Sequence, residues 1–326
     1  MDRRSMLMMP FAGTLALRGG KSAATTAISH ATSAAPAGKP KRINKCIELL
    51  EQGQPVYCTV GTGGYEEGKK LAQTSYDMIG YDMEHSPLNI LGLREFMRGL
   101  KDGGPTKSGH LTPTVIPVLP VGGWDEATVQ ANYWMCHQVL DTGAHGVYLC
   151  HAGDPGAVRT VVRSSRYPFN RMGIGPECPE GRRGAGGEPH AAEMWGMSVP
   201  EYIKKADLWP LNPEGELMIA IKCEDKYALT TCEKTCAVPG VALAEWGPGD
   251  MGMSLGMPLA EEFGPLEMRR ARARVLTAAK ANHLNFLDAT SMNNIEDEIR
   301  EGVTVLMCDE ATMEKGRRFT KRPMPW

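Results

Sequence analysis

Aromatic residues are scarce in this chain, at 6% of 326 residues, and neither charge is in surplus: 36 Lys+Arg stand against 38 Asp+Glu, a formal net charge of −2. No basic stripe interleaved with aromatics is present, so the footprint of a nucleic-acid binder is missing. A CxxC pair is missing too. The nine cysteines are odd in number and scattered, which argues against a disulfide framework or a zinc ribbon. Cys232 and Cys236 fall at i, i+4 on a predicted helix, a spacing that suits packing.

The first 40 residues differ from the rest. Arg3-Arg4 precede a weakly apolar run over 6–17 that is too short to span a membrane, and an Ala/Ser/Thr-rich stretch follows through Gly38. A charged start, a short apolar run and small residues suggest an export signal, and the double arginine resembles the twin-arginine type. The expectation is a signal-like or disordered segment over 1–40, with periplasmic export or else a cytoplasmic location, followed by one domain over 41–326.

From Asn44 onward, apolar runs over 56–62, 78–84, 114–119, 146–151, 217–223, 241–246, 284–287 and 303–307 read as strands. Helix-period stretches over 64–74, 89–101, 126–142, 154–165, 226–237, 260–281 and 292–301 separate them. Continuous rather than alternating apolar runs, each leading to a helix, predict parallel strands covered by helices. Eight such units in about 280 residues fit an α/β (β/α)8 TIM barrel better than an open doubly wound sheet. The exception is 166–213, rich in Gly, Pro, Arg and Glu. A connection this long reads as a lid, a binding loop or a subunit contact.

The stretch Ile219-Ala-Ile-Lys-Cys-Glu224 and, 26 residues later, Asp250 carry the chemistry. Each reads as the carboxylate that ends an apolar strand, a costly place for a charge unless a cation or donors meet it. Two such strands ending side by side make a seat for a hard divalent metal, Mg2+ or Mn2+ with Co2+ as an alternative, rather than a closed zinc site. The run Tyr76–Pro87 ends in Asp82-Met-Glu84-His85. In a parallel barrel the C-terminal strand ends line the active site, where a histidine beside acids works as a proton acceptor near neutral pH. Gly247-Pro-Gly249 before Asp250 leaves backbone N–H groups in a tight turn that can receive a substrate carboxylate. Gly63–Lys70 superficially matches a phosphate-binding GxxxxGK loop. Lys70 stands where Ser or Thr would hold magnesium, so a glycine-rich turn explains it. Histidines 30, 110, 137, 145, 151, 190 and 283 show no ligand spacing and read as ordinary surface or core residues.

Three blocks resemble the HpcH/HpaI aldolases, metal-dependent class II 2-oxo-acid aldolases. They are Tyr76–Pro87, Met218–Glu224, and Val238-Pro-Gly-Val241 through Gly247-Pro-Gly-Asp250-Met-Gly-Met-Ser-Leu-Gly256, with a shorter echo at Arg166-Tyr-Pro168. The resemblance implies a (β/α)8 barrel with its last helix exchanged between subunits of a trimer or hexamer. It implies a divalent metal on Glu224 and Asp250, with His85, oriented by Asp82, as base. The substrate carboxylate would rest on the N–H groups of Gly249 and Asp250. The expected activity is aldol cleavage or formation of a hydroxy-2-oxo acid, with a small oxo acid and an aldehyde as partners and no nucleic acid or membrane involved.

Two departures bear on this expectation. Where the family's third strand ends Val-Arg-Pro, this chain has Val115-Ile116-Pro117, so Ile116 stands in the arginine's place. Losing one such donor typically costs about 3–4 kcal/mol in the transition state. Lys222, where the family usually has Gln, lies two residues before Glu224 and so shares its face of the strand. It is expected to supply the displaced positive charge, unless it merely pairs with Glu224 or Asp250. Arg182 and Arg183 on the long segment are further candidates to reach the site. An insertion of about ten residues after Pro117 runs through Trp124-Asp125. The alternatives are a decarboxylase or other lyase on the same barrel, or a non-catalytic barrel that binds metal or an acidic small molecule.

Overall fold

The computed structural model describes residues 40–257 and 264–326. The export-signal reading of the N-terminal segment and the predicted start of the helix after β6 lie outside the described residues. Eight parallel strands close in chain order into a barrel: β1 (Val56–Gly61), β2 (Met78–Asp82), β3 (Thr114–Gly122), β4 (Gly146–Cys150), β5 (Met218–Lys222), β6 (Val241–Glu245), β7 (Asn285–Ala289) and β8 (Val305–Met307). The ring shuts where β1 pairs with β8. Helix α1 (Lys45–Glu51) precedes β1. The covering helices are α2 (Tyr65–Leu71), α3 (Ile90–Gly103), α4 (Glu126–Ala131), α5 (Trp134–Leu140), α6 (Pro155–Ser165), α7 (Glu188–Met194), α8 (Val199–Lys205), α9 (Lys226–Cys236), α10 (Pro248–Ser254), α11 (Leu266–Ala281), α12 (Ile295–Glu301) and α13 (Glu310–Phe319).

Short polar caps start several of these helices. The side chains of Asn44, Asn89, Asp125, Asp154, Asp225 and Asp309 each accept N–H groups from the first turn that follows, a contribution of about 1 kcal/mol apiece. Gly68, the glycine of the discarded phosphate-loop match, lies inside α2 and lets it pack closely on α3. A Cβ there would stand 2.1 Å from the Phe96 carbonyl oxygen. The predicted helix over 126–142 is two helices, parted at Asn132, whose side chain turns back onto the Thr128 carbonyl.

Along β5, Met218 and Ala220 join the cluster inside the barrel, whereas Ile219 and Ile221 join the layer under the helices. Strand alternation therefore carries Lys222 and Glu224 inward. Cys46, Ile47 and Leu49 of α1 belong to the same interior cluster as Met78, Ile116 and Met218, so α1 plugs the end where the strands begin. At that end Asp77 is fully buried. Lys45 Nζ lies 2.9 Å from it and Arg322 grips it with two bonds of 2.7 Å. Arg317 of α13 reaches it at 3.3 Å. The last helix, α13, thus contributes Arg317 to this buried cluster.

The 166–213 segment joins α6 to β5, and so it too stands where strands begin. It carries α7 and α8 and buries Arg166, Arg183, Trp195 and Tyr202. A lid over the opposite end is not what it forms. Beside it lies a cavity of about 710 Å3, lined by His110, His145, Trp195, Met197, Lys205 and Glu216 among others.

Candidate active site

The mouth at the C-terminal strand ends is built from the turns that follow β2, β4, β5 and β6. After β2, Asp82 Oδ1 accepts the N–H groups of Glu84 at 2.9 Å and His85 at 3.1 Å, which fixes the turn and points both side chains into the mouth. The other carboxylate oxygen of Asp82 lies 3.5 Å from His85 Nδ1, and His85 Nε2 lies 3.3 Å from Asp250 Oδ2. Asp82, His85 and Asp250 therefore meet, and the imidazole keeps 58% of its side-chain surface exposed.

Lys222 rises inside the barrel between two acids. Its ammonium stands 2.5 Å from Glu84 Oε2 and 2.8 Å from Glu224 Oε2. The second approach is an ion pair without hydrogen-bond alignment, so Glu224 Oε2 is buried with no hydrogen bond among the described residues. Glu224 Oε1 accepts the His151 N–H at 2.9 Å. Burial, with Glu84 and Glu245 nearby, pushes the Glu224 carboxyl up to about 7 against the opposing pull of Lys222. Lys222 itself is held above its usual range: burial works against its charge, and Glu245, Glu224, Cys150 and Glu84 outweigh it.

Asp250 is not a strand end. It occupies the first turn of α10, after Gly247 in the left-handed region at φ 50°. Gly247 packs directly on Glu224, since a Cβ there would fall 2.3 Å from Glu224 Cβ. Only glycine permits both the backbone and the contact, which is how the loop after β6 is drawn over the carboxylate from β5. The first-turn N–H groups of α10 have no side-chain cap.

Several residues of this site escaped sequence reasoning. Glu84 belongs to both clusters of potential ligands, Glu84–Cys150–Glu224 and Glu84–His85–Asp250, whose donor atoms lie within 4.8 Å of one another. The expected metal pair Glu224 and Asp250 falls in different clusters, and Glu84 joins them. His151, read as ordinary, follows β4 with φ 47°, a strained conformation for a residue with a side chain that costs about 1–3 kcal/mol. Its Nδ1 lies 2.9 Å from Asp225 Oδ2 and its Nε2 3.6 Å from Glu84 Oε1. The bond to Asp225 raises the His151 pKa despite burial. Inside the barrel the Tyr148 hydroxyl donates to Glu245, a carboxyl that burial raises. The signal for Glu84 and His151 was the strand-end position that singled out His85. Asp225 caps α9 after β5, and Glu245 ends β6.

Arg182 and Arg183 do not reach the mouth. Arg183 is buried, donates to Asp141 at 3.0 Å and Tyr202 at 2.7 Å, and lies over the Tyr167 ring. Asp141 follows α5 just before β4 begins, at the far end of the barrel. The Arg182 N–H bonds the Arg163 carbonyl, and its side chain lines a small cleft with Gln130, Tyr133 and Thr160 on the helical layer. Ile116 is fully buried in the interior cluster.

Residues 68–307 match the family model described as HpcH/HpaI aldolase/citrate lyase. The chain belongs to that family, whose members are lyases. It is 27% identical over 220 residues to a hydroxypyruvate/pyruvate aldolase of Roseobacter denitrificans, covering 67% of this chain and 72% of the relative. It is 28% identical over 202 residues to a 2-keto-3-deoxy-L-rhamnonate aldolase of Shigella dysenteriae, covering 62% of each. Among solved structures, a family member from Burkholderia cenocepacia superposes with TM-score 0.63 at 22% identity, over 85% of this chain and 98% of the other. Macrophomate synthase gives 0.59 at 21%, over 87% and 88%. The family's class II aldolases use a divalent metal. The mouth fits one: it offers oxygen donors on Glu84, Glu224 and Asp250, and the buried Glu224 oxygen is met only by the Lys222 ammonium among the described residues.

Proposed function

We propose that this protein is a class II aldolase that cleaves or forms a hydroxy-2-oxo acid, with an oxo acid and an aldehyde as the two halves. The observation that carries the reading is the convergence of Glu84, His85, Lys222, Glu224 and Asp250 at one barrel mouth, where three carboxylates and a single buried ammonium meet. Glu224 and Asp250, with Glu84 between them, hold Mg2+ or Mn2+, Co2+ being the alternative. Bound there, the metal serves as Lewis acid and template for the oxo acid.

The chain's own groups do the rest. The first-turn N–H groups of Gly249 and Asp250, which the N-cap Gly247 cannot cap with a side chain, receive the substrate carboxylate. In the cleavage direction His85 accepts the proton of the hydroxyl that becomes the aldehyde, and Asp82, 3.5 Å from Nδ1, steadies the imidazolium that results. Lys222 places a permanent positive charge where electron density gathers on the oxo group, the task of the arginine replaced by Ile116. Lysine cannot reproduce a bidentate arginine contact, so the preferred substrate differs from simple pyruvate aldols. The family's assembly as a trimer or hexamer is part of the reading.

The test is a screen of aldehydes against pyruvate, oxaloacetate and longer 2-oxo acids with Mn2+ or Mg2+. Metal-dependent turnover that His85→Ala removes is expected; no aldehyde release or aldol formation from any pair rules the reading out. A second reading, a metal-assisted decarboxylase on the same barrel, rests on the apolar Ile116 where an arginine would steady the oxo group. It predicts CO2 release from oxaloacetate without any aldehyde requirement.

A further inference from the structure

The aldol reading leaves one half of the substrate without a wall, and Trp124 stands where that wall belongs. Trp124 follows β3 at the mouth, and 60% of its surface is exposed. It is held in place on two sides. One face meets the His151 ring, centroid to centroid 5.3 Å and tilted 36°. Behind it lies Gly122, where a Cβ would come within 2.8 Å of the indole ring, so the bare backbone makes room for the ring. An indole that is seated by its own backbone and still presents most of its surface is a platform rather than a loose surface residue.

The other loops of this end add to it. The segments after β2, β5 and β6 present exposed large apolar side chains: Leu88 and Leu91, Tyr227, and Met253. The acidic cup is therefore rimmed by apolar groups, the usual make-up of a small-molecule site in which a few polar groups orient the ligand. Direction follows from the barrel. In the aldolase reading the substrate carboxylate sits on the β6 side, and in a ring of eight strands β2 lies opposite β6, with β3 next to it. A chain laid across the mouth from that carboxylate runs toward the β2–β3 side, where His85 and Trp124 stand.

We infer that Trp124 forms the binding wall for the aldehyde half of the substrate, and that this half is an aromatic or other bulky apolar aldehyde rather than a short hydroxylated one. The inference rests on the aldolase reading and names its substrate class. Aldol formation from pyruvate with Mn2+ tests it, benzaldehyde being compared with glycolaldehyde in the wild type, Trp124→Ala and Trp124→Phe. Trp124→Ala is expected to cut kcat/KM for benzaldehyde about tenfold or more, mainly through KM, to leave glycolaldehyde within about twofold, and to be largely rescued by Trp124→Phe. In parallel, the 19F line of 4-fluorobenzaldehyde should broaden with the Mg2+-loaded wild type and not with Trp124→Ala. Equal losses for both aldehydes, or no change for either, overturn the inference, as does a change in oligomer mass with selectivity intact, which would make Trp124 a subunit contact. Absence of turnover with every aldehyde while Trp124-dependent broadening persists would instead remove the aldolase reading and keep the aromatic site.

Discussion

The two ends of the barrel handle buried carboxylates in opposite ways. Where the strands begin, a single acid, Asp77, is met by Lys45, Arg317 and Arg322. Although burial opposes it, these cations hold the Asp77 carboxyl far below the usual range. Where the strands finish, Glu84, Glu224 and Glu245 share one buried ammonium, Lys222, and burial raises both Glu224 and Glu245. One end has cations to spare and serves stability. The other is short of them, and a site short of positive charge is one poised to receive it from a ligand.

The largest effect should come from the satisfied end. Asp77→Asn leaves three buried cations without their anion and should cost about 3–5 kcal/mol in urea unfolding, with metal affinity of the folded protein unchanged. Lys222→Gln attacks the other end. It should lower turnover about 100-fold or more, the scale of one lost preorganised donor, and near-normal kcat would show that Lys222 only pairs with its neighbours. Third, Mn2+ at about 100 times its Kd should stabilise the wild type by about 2.7 kcal/mol. Glu224→Gln should erase that gain and Asp77→Asn should keep it, and equal gains in all three proteins would dissolve the contrast between the ends.

The smallest effect, taken over a single pH unit, is a slope at the strand-start end. His145 is fully buried, and burial drives its pKa down to about 3 from an ordinary 6.5. The folded state therefore excludes a proton that the unfolded chain binds below pH 6.5, so stability is lost as pH falls from there toward 3, by about 1.4 kcal/mol per unit. His145→Gln keeps an acceptor for the Val115 N–H that Nδ1 now takes at 3.1 Å. It should flatten the curve of urea midpoint against pH between 6 and 4, and an unaltered slope would clear His145 of that role.

Much of this architecture is legible in the residues themselves. All eight strands begin and end within a few positions of the apolar runs, because a strand buried on both faces has no polar alternation to blur its limits. Helices α1, α7, α8 and α10 have no counterpart among the predicted stretches, and α13 was implied only by the family resemblance: α10 hides behind Gly-Pro-Gly, which reads as a turn, and α7 and α8 sit in a segment whose Gly and Pro suggest a loop. At the site, strand parity carries Lys222 and Glu224 inward as expected, while Asp250 reaches the mouth from a helix turn. The strand-end position marked Glu84 and His151, but not what they would touch. Their roles come from neighbours on other strands, Asp225 and Glu224 above all, and no spacing along the chain encodes which strand-end groups will touch. The arginines of the long segment were misjudged because a connection from helix to strand returns to the end where strands start, a rule of topology rather than of composition.

A ring has no natural seam, yet this one is buckled at Asp77. Lys45 from the opening helix and Arg322 from the closing tail clasp the same Asp77 carboxylate, so the two extremities of the folded domain depend on each other. Clipping the tail ahead of Arg322 should loosen the plug at the opposite extremity of the polypeptide, and hydrogen exchange in residues 45–51 would register it.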